Sequence, residues 1–302
     1  MKHFINPTVD CVFKAILGSE ENKNLLIHFL NAILEPEKGS LIKEVLIQNP
    51  YNEREFTGDK LTIVDVKAID EKGCHYQIEI QLAIHAALSP RILYTWSSIY
   101  HSQIQEGENF QTLKPVISIW ILNGNLFENV EACHLPFSLY DQKHQVVLTD
   151  HISIHLLQLP KLPSEKTITT EKERWIYLFK EGKNVDFDDP PETLNTTEMK
   201  IVMNVLHRFS ENETDYLRYQ SCLEAVLKEN TYIHELEKAT KGMEQEKKEK
   251  EQAIKGMEKA KKCMEKATKG MEQEKREKEQ VQEKLNNLLL SLKEKEIVLD
   301  DV

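Results

Sequence analysis

Residues 61–82 read LTIVDVKAIDEKGCHYQIEIQL. Two runs rich in β-branched residues flank the polar turn Asp70-Glu71-Lys72-Gly73. Alternating strands around a short turn that contains glycine predict a β-hairpin. Because successive side chains point to opposite faces, Val64, Val66, Ile78, Ile80 and Leu82 fall on one face. Asp65, Lys67, Glu79 and Gln81 fall on the other. A turn centred on Lys72 pairs residues whose numbers sum to 144, which sets Asp65 opposite Glu79 and Ile63 opposite Gln81. Opposed residues have Cβ atoms about 4.5–5.5 Å apart. Two carboxylates that close repel unless positive charge lies between them. A hard divalent cation such as Mg²⁺ suits such a pair. A slip of one residue in register would undo the arrangement. Read without the cation, Asp65 and Glu79 are polar positions on a solvated sheet face, although flanks this apolar suggest a strand pair covered on both sides.

Outward from the hairpin, the pattern alternates helix and strand. Residues 8–34 have helical spacing, with Thr8 or Asp10 as cap, Val9, Phe13, Ile16 and Leu17 on one face, and a break at Gly18-Ser19. Residues 41–48 alternate as a strand and lead into a polar loop with Pro50 and Gly58. Residues 86–106 predict a helix ended by Gly107. PVISIWIL (115–122) predicts a strand buried on both faces. Further strands are expected near 145–149 and 152–159, with a loop at Pro160–Pro163. Helices are expected at 170–181, 196–209 and 213–230, with NVDFDDPPET (184–193) connecting the first two.

The remainder repeats. EKATKGMEQEKKEKEQ (237–252) returns as EKATKGMEQEKREKEQ (265–280), and KGME recurs at 241, 255 and 269. These shifts are multiples of seven. Met243, Met257, Met264, Met271, Leu285, Leu292 and Leu299 share one heptad position, and Ala253, Ala260, Ala267, Val281 and Leu288 the position three residues on. That is the a/d seam of a coiled coil. Lys250, Lys278, Glu246 and Glu274 interrupt it, and each of three glycines weakens the helix by roughly 1 kcal/mol. The expected organisation is a domain over 1–230 followed by a heptad tail over 231–302, a long helix expected to self-associate weakly as a homo-oligomer, most firmly at its Leu-rich end.

The net charge is -11. Residues 231–302 contain 17 basic and 17 acidic residues, so the 22 basic and 33 acidic residues of 1–230 carry the whole excess. An acidic body argues against a broad, non-specific grip on phosphates but permits a local basic groove. The five cysteines, Cys11, Cys74, Cys133, Cys222 and Cys263, show neither zinc spacing nor a disulfide framework. With no signal pattern and no long apolar run, the cytoplasm is the expected compartment. The histidines form no metal-binding spacing, and His75, His85 and His101 are expected to be structural or exposed. Neither a phosphate-binding glycine loop nor a nucleophile elbow is present.

NPTVDCVFKAILG (6–18), LIHFLNAIL (26–34), VDVKAIDEKGCHYQIEIQL (64–82), RILYTWSSIYHSQIQEG (91–107) and LKPVISIWIL (113–122) together resemble the Rpn family. These are recombination-promoting nucleases, also described as transposases, within the PD-(D/E)xK superfamily. The resemblance runs over roughly residues 1–230. It implies an α/β fold of restriction-endonuclease type, a mixed central sheet flanked by helices, here with a C-terminal coiled-coil tail. It implies a Mg²⁺-dependent DNA endonuclease, with Mn²⁺ as the alternative ion, acting in recombination or mobile-element transposition. It assigns Asp65 and Glu79 as metal ligands with the backbone carbonyl of Ile80. It places Gln81 where the superfamily motif has lysine. A lysine there stabilises developing negative charge, whereas an amide orients water without supplying charge. The family itself commonly carries this glutamine, which leaves more of the work to metal.

Five further residues remain open on sequence. Lys67 shares the face of the acidic pair and is either a substitute cation or a surface lysine. Asp10 and Lys14, one turn apart, either approach the metal site or form an i,i+4 ion pair worth about 0.2–0.5 kcal/mol. Arg91, with Tyr94 on the same helix face, either contacts phosphate or packs its helix on the sheet. Two other functions compete. One is a catalytically inactive interaction module assembled through the coiled-coil tail. The other is an RNase H-like transposase, which needs a third carboxylate from the region of Glu171, Glu173 or Glu224.

Overall fold

The computed structural model describes residues 3–48, 65–163 and 168–299. The chain divides into two compact units, Met1–Ile233 and His234–Val302. In the first unit the elements run α1 (Asp10–Leu17), α2 (Lys23–Leu34), β1 (Val45–Gln48), β2 (Val66–Asp70), β3 (His75–Gln81), α3 (Leu88–His101) and β4 (Val116–Leu122). They continue as β5 (His134–Ser138), β6 (Tyr140–Asp141), β7 (Val146–Val147), β8 (Ile152–Gln158), α4 (Glu171–Glu181) and α5 (Thr197–Glu211). The last helix, α6 (Glu213–Leu299), begins in the first unit and makes up the described part of the second.

Among the described residues, six strands form a mixed sheet in the order β1-β2-β3-β4-β8-β5. The β1, β2 and β3 strands are antiparallel, β3, β4 and β8 are parallel, and β5 returns antiparallel on β8. The hairpin has the expected register, with Val66 opposite Ile78 and Lys67 opposite Gln77. The run from Leu61 to Val64, the partner expected for Gln81, and the loop with Pro50 and Gly58 lie outside the described residues. The turn is fastened by Asp70, whose Oδ1 accepts from the amides of Lys72 and Cys74, both at 2.9 Å. Gly73 takes φ +83° there, a left-handed conformation that favours glycine.

Each face of the sheet has its own cover. Val66, Ala68, Tyr76, Ile78, Ile119 and Ile121 pack into one core with buried residues of α1, α2, α4 and α5. Trp120, Leu122, Ile154 and Leu156 meet Leu88 and Ile92 of α3 on the opposite face. This double cover explains the nearly continuous apolar run of β4. It also means that the polar residues of β3 share the α3 face, because Gln77, Glu79 and Gln81 register with Ser118, Trp120 and Leu122.

Several elements differ from expectation. The cap of α1 is Val9, without a side-chain hydrogen bond, and Thr8 instead donates to Oδ1 of Asn6. The break at Gly18 is real, and a 3-10 turn (Glu20–Asn22) bridges α1 and α2. The third helix stops at His101, and Gly107 lies beyond it in a loop. The strand expected near 145–149 shrinks to the two residues of β7, paired only with β6. The edge strand β5 has no counterpart among the expected strands, because HLPFS carries a proline and little alternation. Helix α4 starts at a capping box in which Thr170 and Glu173 satisfy each other's backbone amides.

Candidate active site

The hairpin brings the acidic pair together beside the start of the described part of β2 and the end of β3. Asp65 lies in the bend that enters β2, and its Oδ2 accepts from the Ile80 amide at 2.8 Å. In an extended strand a residue's own N–H and C=O point to the same side, and neighbouring residues alternate. The Gln81 carbonyl accepts from Asn123 on the β4 side. The Ile80 carbonyl therefore points the other way, to the β2 side of β3.

Glu79 is 3% exposed. Its Oε1 accepts from Nε2 of Gln77 at 3.1 Å, and its Oε2 lies 4.0 Å from Nη2 of Arg91. Behind it runs a buried chain: Trp120 Nε1 donates to Ser118 Oγ at 2.8 Å, and that hydroxyl donates to Oε1 of Gln77 at 3.2 Å. The chain orients the Gln77 amide so that its nitrogen faces the carboxylate. An interior this well bonded holds Glu79 in one geometry.

Gln81 is engaged at both ends of its amide. Its Oε1 accepts from Arg91 Nη1 at 3.0 Å, and its Nε2 donates to the Ala83 carbonyl at 2.9 Å. Arg91 spans Glu79 and Gln81 and lies over the Trp120 ring, 5.6 Å from its centroid. Packing and electrostatics thus coincide in that one side chain. Tyr94 is half exposed.

Helix α1 supplies the remaining charge. Nζ of Lys14 lies 2.7 Å from Oδ1 of Asp10 and 3.8 Å from Oδ1 of Asp65. Oδ1 of Asp10 is shielded from solvent, with Lys14 as its charged contact. Lys67 lies opposite Gln77, and its charge is felt at His75, where burial is the larger cause of a lowered pKa. The carboxylates nominated on later helices are committed elsewhere. Glu171 meets His28 and Arg174, Glu173 completes its capping box, and Glu224 pairs with Lys228. Among the described residues, the third carboxylate beside Asp65 and Glu79 is Asp10 of α1.

The acidic pair is under electrostatic pressure. Burial pushes Asp65 up to about 6, the Ile80 amide pulls it down, and the Asp10 charge pushes it up again. Burial pushes Glu79 up to about 8, with the Asp65 charge adding to it. For Lys14, burial opposes the charge, but Asp10, Asp65 and Glu79 outweigh it and raise the pKa. Among the described residues, one lysine and a half-exposed arginine do not neutralise these three carboxylates. Among the described residues no group of three or more His, Cys, Asp or Glu is disposed to enclose a metal. Two carboxylates and a backbone carbonyl nonetheless suit Mg²⁺, which keeps several waters and seldom takes an all-protein cage. The donor set and its excess negative charge fit a hard divalent cation.

A mixed six-stranded sheet flanked by helices is consistent with a fold of restriction-endonuclease type. Residues 7–236 match the family described as PD-(D/E)XK nuclease family transposase, and the chain belongs to that family. Its role is therefore nuclease- or transposase-related, in a family whose nucleases typically use divalent metals and act on DNA. No curated protein and no solved structure is similar enough to this chain to count as a match. Among the described residues no helix is long and apolar enough to cross a membrane.

Proposed function

We propose that the chain is a divalent-metal-dependent DNA endonuclease that hydrolyses phosphodiester bonds, with Mg²⁺ as the working ion and Mn²⁺ as an alternative. The observation that carries this reading is the burial of Asp65 and Glu79 beside each other, with Lys14 on one side and Arg91 on the other. Asp65, Glu79 and the Ile80 carbonyl would hold the cation. When bound, the cation supplies Lewis acidity toward the phosphate and the attacking water. The Ile80 amide keeps Asp65 turned inward, and Gln77 does the same for Glu79. Arg91 offers a guanidinium to an incoming phosphate while its bond to Gln81 fixes both side chains. Lys14 supplies the positive charge that Gln81 cannot, and Asp10 holds it in place. The biological setting that fits is strand cleavage in recombination or mobile-element movement. In this reading residues 1–230 are the nuclease domain and residues 231–302 an accessory tail that self-associates.

One observation favours a second reading. Because the Gln81 amide is already held by Arg91 and the Ala83 carbonyl, only one N–H and one oxygen lone pair remain to orient water, which favours a catalytically silent module assembled through its tail. Nicking of supercoiled plasmid separates the two. The purified protein should nick with Mg²⁺ and not with EDTA, and both Glu79→Ala and Asp65→Ala should lose the activity while unfolding cooperatively. Equal nicking by wild type and variants would assign the activity to another site or a contaminant. No nicking with any divalent ion would favour the silent module.

A further inference from the structure

Among the described residues, the seam of α6 beyond residue 234 is a helix face without a partner. Met257, Met264 and Met271 are each more than 70% exposed, and Leu285, Leu288 and Leu292 are half exposed or more. A solvated helix does not keep an apolar heptad stripe in water without cost, so the stripe calls for an occupant. The proposal that the tail self-associates names the occupant as a second copy of this chain. The inference rests on that reading and concerns how the two copies align.

The polar interruptions decide the alignment. Glu246 and Lys250 sit on the seam, and Glu274 and Lys278 repeat them 28 residues later. Within one helix each forms an i,i+4 ion pair, at 2.6 Å and 2.8 Å. In a parallel pair in register, each seam residue meets its own copy. Glu246 would face Glu246, Lys250 would face Lys250, and layers of two methionines would alternate with layers of two alanines.

We infer that two copies of the tail pair antiparallel, centred on Lys262, so that Glu246 faces Lys278 and Lys250 faces Glu274 across the seam. The other layers then fall into place. Met257 faces Ala267, Met271 faces Ala253, Met264 faces Ala260, and Met243 faces Val281. Every central layer joins one large and one small side chain, which fills the space evenly. At the ends Leu236 faces Leu288 and Ala239 faces Leu285. Registers shifted by whole heptads break this complementarity: pairing Glu246 with Lys250 alone, or Glu274 with Lys278 alone, strands the other charged pair.

The rim opposes this alignment weakly. It brings Lys247 near Lys275, Lys261 near its own copy and Glu249 near Glu277. Those side chains remain in water and are screened by salt, whereas charges on the seam are shielded by pairing. The two chains enter the pair from opposite ends, with their residues 234 roughly 80 Å apart at 1.5 Å per residue.

Cys263, exposed on α6, reports the alignment directly. At a g position beside the two-fold centre it faces its own copy in the antiparallel pair, whereas in a parallel pair the two thiols lie on opposite flanks. The full-length chain is sedimented over a concentration series, then treated with diamide beside Cys263→Ser. A charge swap supplies the second test. Glu274→Lys with Lys278→Glu should weaken the dimer at least tenfold, because like charges now meet. Adding Glu246→Lys with Lys250→Glu in the same chain should restore it. In a parallel pair either swap is neutral. A dimer without the Cys263 cross-link, or one indifferent to the swap, overturns the antiparallel alignment and leaves self-association standing. A monomer at every concentration overturns both.

Discussion

Glu79→Gln in metal-free protein is a stability experiment on the proposed active site. The carboxyl is 3% exposed, and burial with the Asp65 charge behind it pushes its pKa up to about 8 from an ordinary value of 4.5. An acid whose folded pKa is raised favours the fold while it is protonated. That contribution is fully present below about pH 4.5 and is lost as pH rises through about 8. One pKa unit is worth about 1.4 kcal/mol, so ionising Glu79 in the fold costs on the order of 3–5 kcal/mol. The proton is shared with Asp65 through their coupling, so the figure belongs to the pair. Glutamine keeps an oxygen for the Gln77 amide and never ionises. At pH 9 in EDTA the variant should therefore be more stable than wild type by a few kcal/mol, a rise in Tm of roughly 5–15 °C for a unit of this size. Near pH 4.5 the two should agree within about 1 kcal/mol. Saturating Mg²⁺ should narrow the difference at pH 9, because a ligand at a hundred times its Kd stabilises by about 2.7 kcal/mol, less than the cost of ionising Glu79, and the variant has lost a ligand. Urea unfolding across this pH range, with EDTA and with Mg²⁺, reads all three outcomes. A variant less stable than wild type at pH 9 in EDTA, or a difference that does not change with pH, would refute the claim that the pair is held under electrostatic pressure.

Lys14→Met should lower plasmid nicking by about a hundredfold, the scale of removing one preorganised charge from a developing phosphate anion, with Lys14→Arg recovering part of it; unchanged nicking would remove Lys14 from the chemistry. His134 and His155 share a 2.9 Å contact, and burial, joined by nearby positive charge, pushes both down to about 4. Their contribution to stability is complete above pH 6.5 and falls as pH drops toward 4, so His155→Asn should flatten that part of the curve in urea titrations; an unaltered slope would count against it. Truncation after residue 230 should leave a cooperatively unfolding, metal-binding domain, and loss of the cooperative transition in calorimetry would show that the tail is part of the fold.

The hairpin is legible in sequence because its information is local. Alternation sets the faces, the turn sets the register, and both recur in Val66 opposite Ile78 and Lys67 opposite Gln77. The buried strand β4 is legible for the same reason, its apolar run being longer than one covered face requires. The edge strand β5 is not. It pairs on one side only, tolerates Pro136, and exposes Phe137, so it carries little of the pattern that marks a strand. The ends of α3 and α1 are misplaced on sequence because Gly107 and Thr8 offer better local signals than the residues that terminate those helices.

The composition of the candidate site is half legible, and the division follows sequence separation. Asp65, Glu79 and Gln81 are bound into one hairpin, so a short stretch of chain sets their spacing. Asp10 and Lys14 reach the pair from a helix more than fifty residues earlier, and their i,i+4 spacing looks the same for an ordinary surface ion pair. Arg91 is close in sequence but joins the site only because α3 packs over Trp120. The sequence therefore shows a strand that lacks its usual lysine without showing where positive charge comes from. The fold answers with two helices on opposite faces of the sheet, each contributing one cation to the shared strand end. A cation borne by a helix is held by that helix's packing and not by the strand. Substitutions in the α1 or α3 core should therefore reach the chemistry through the positions of Lys14 and Arg91, even where no altered atom touches a carboxylate.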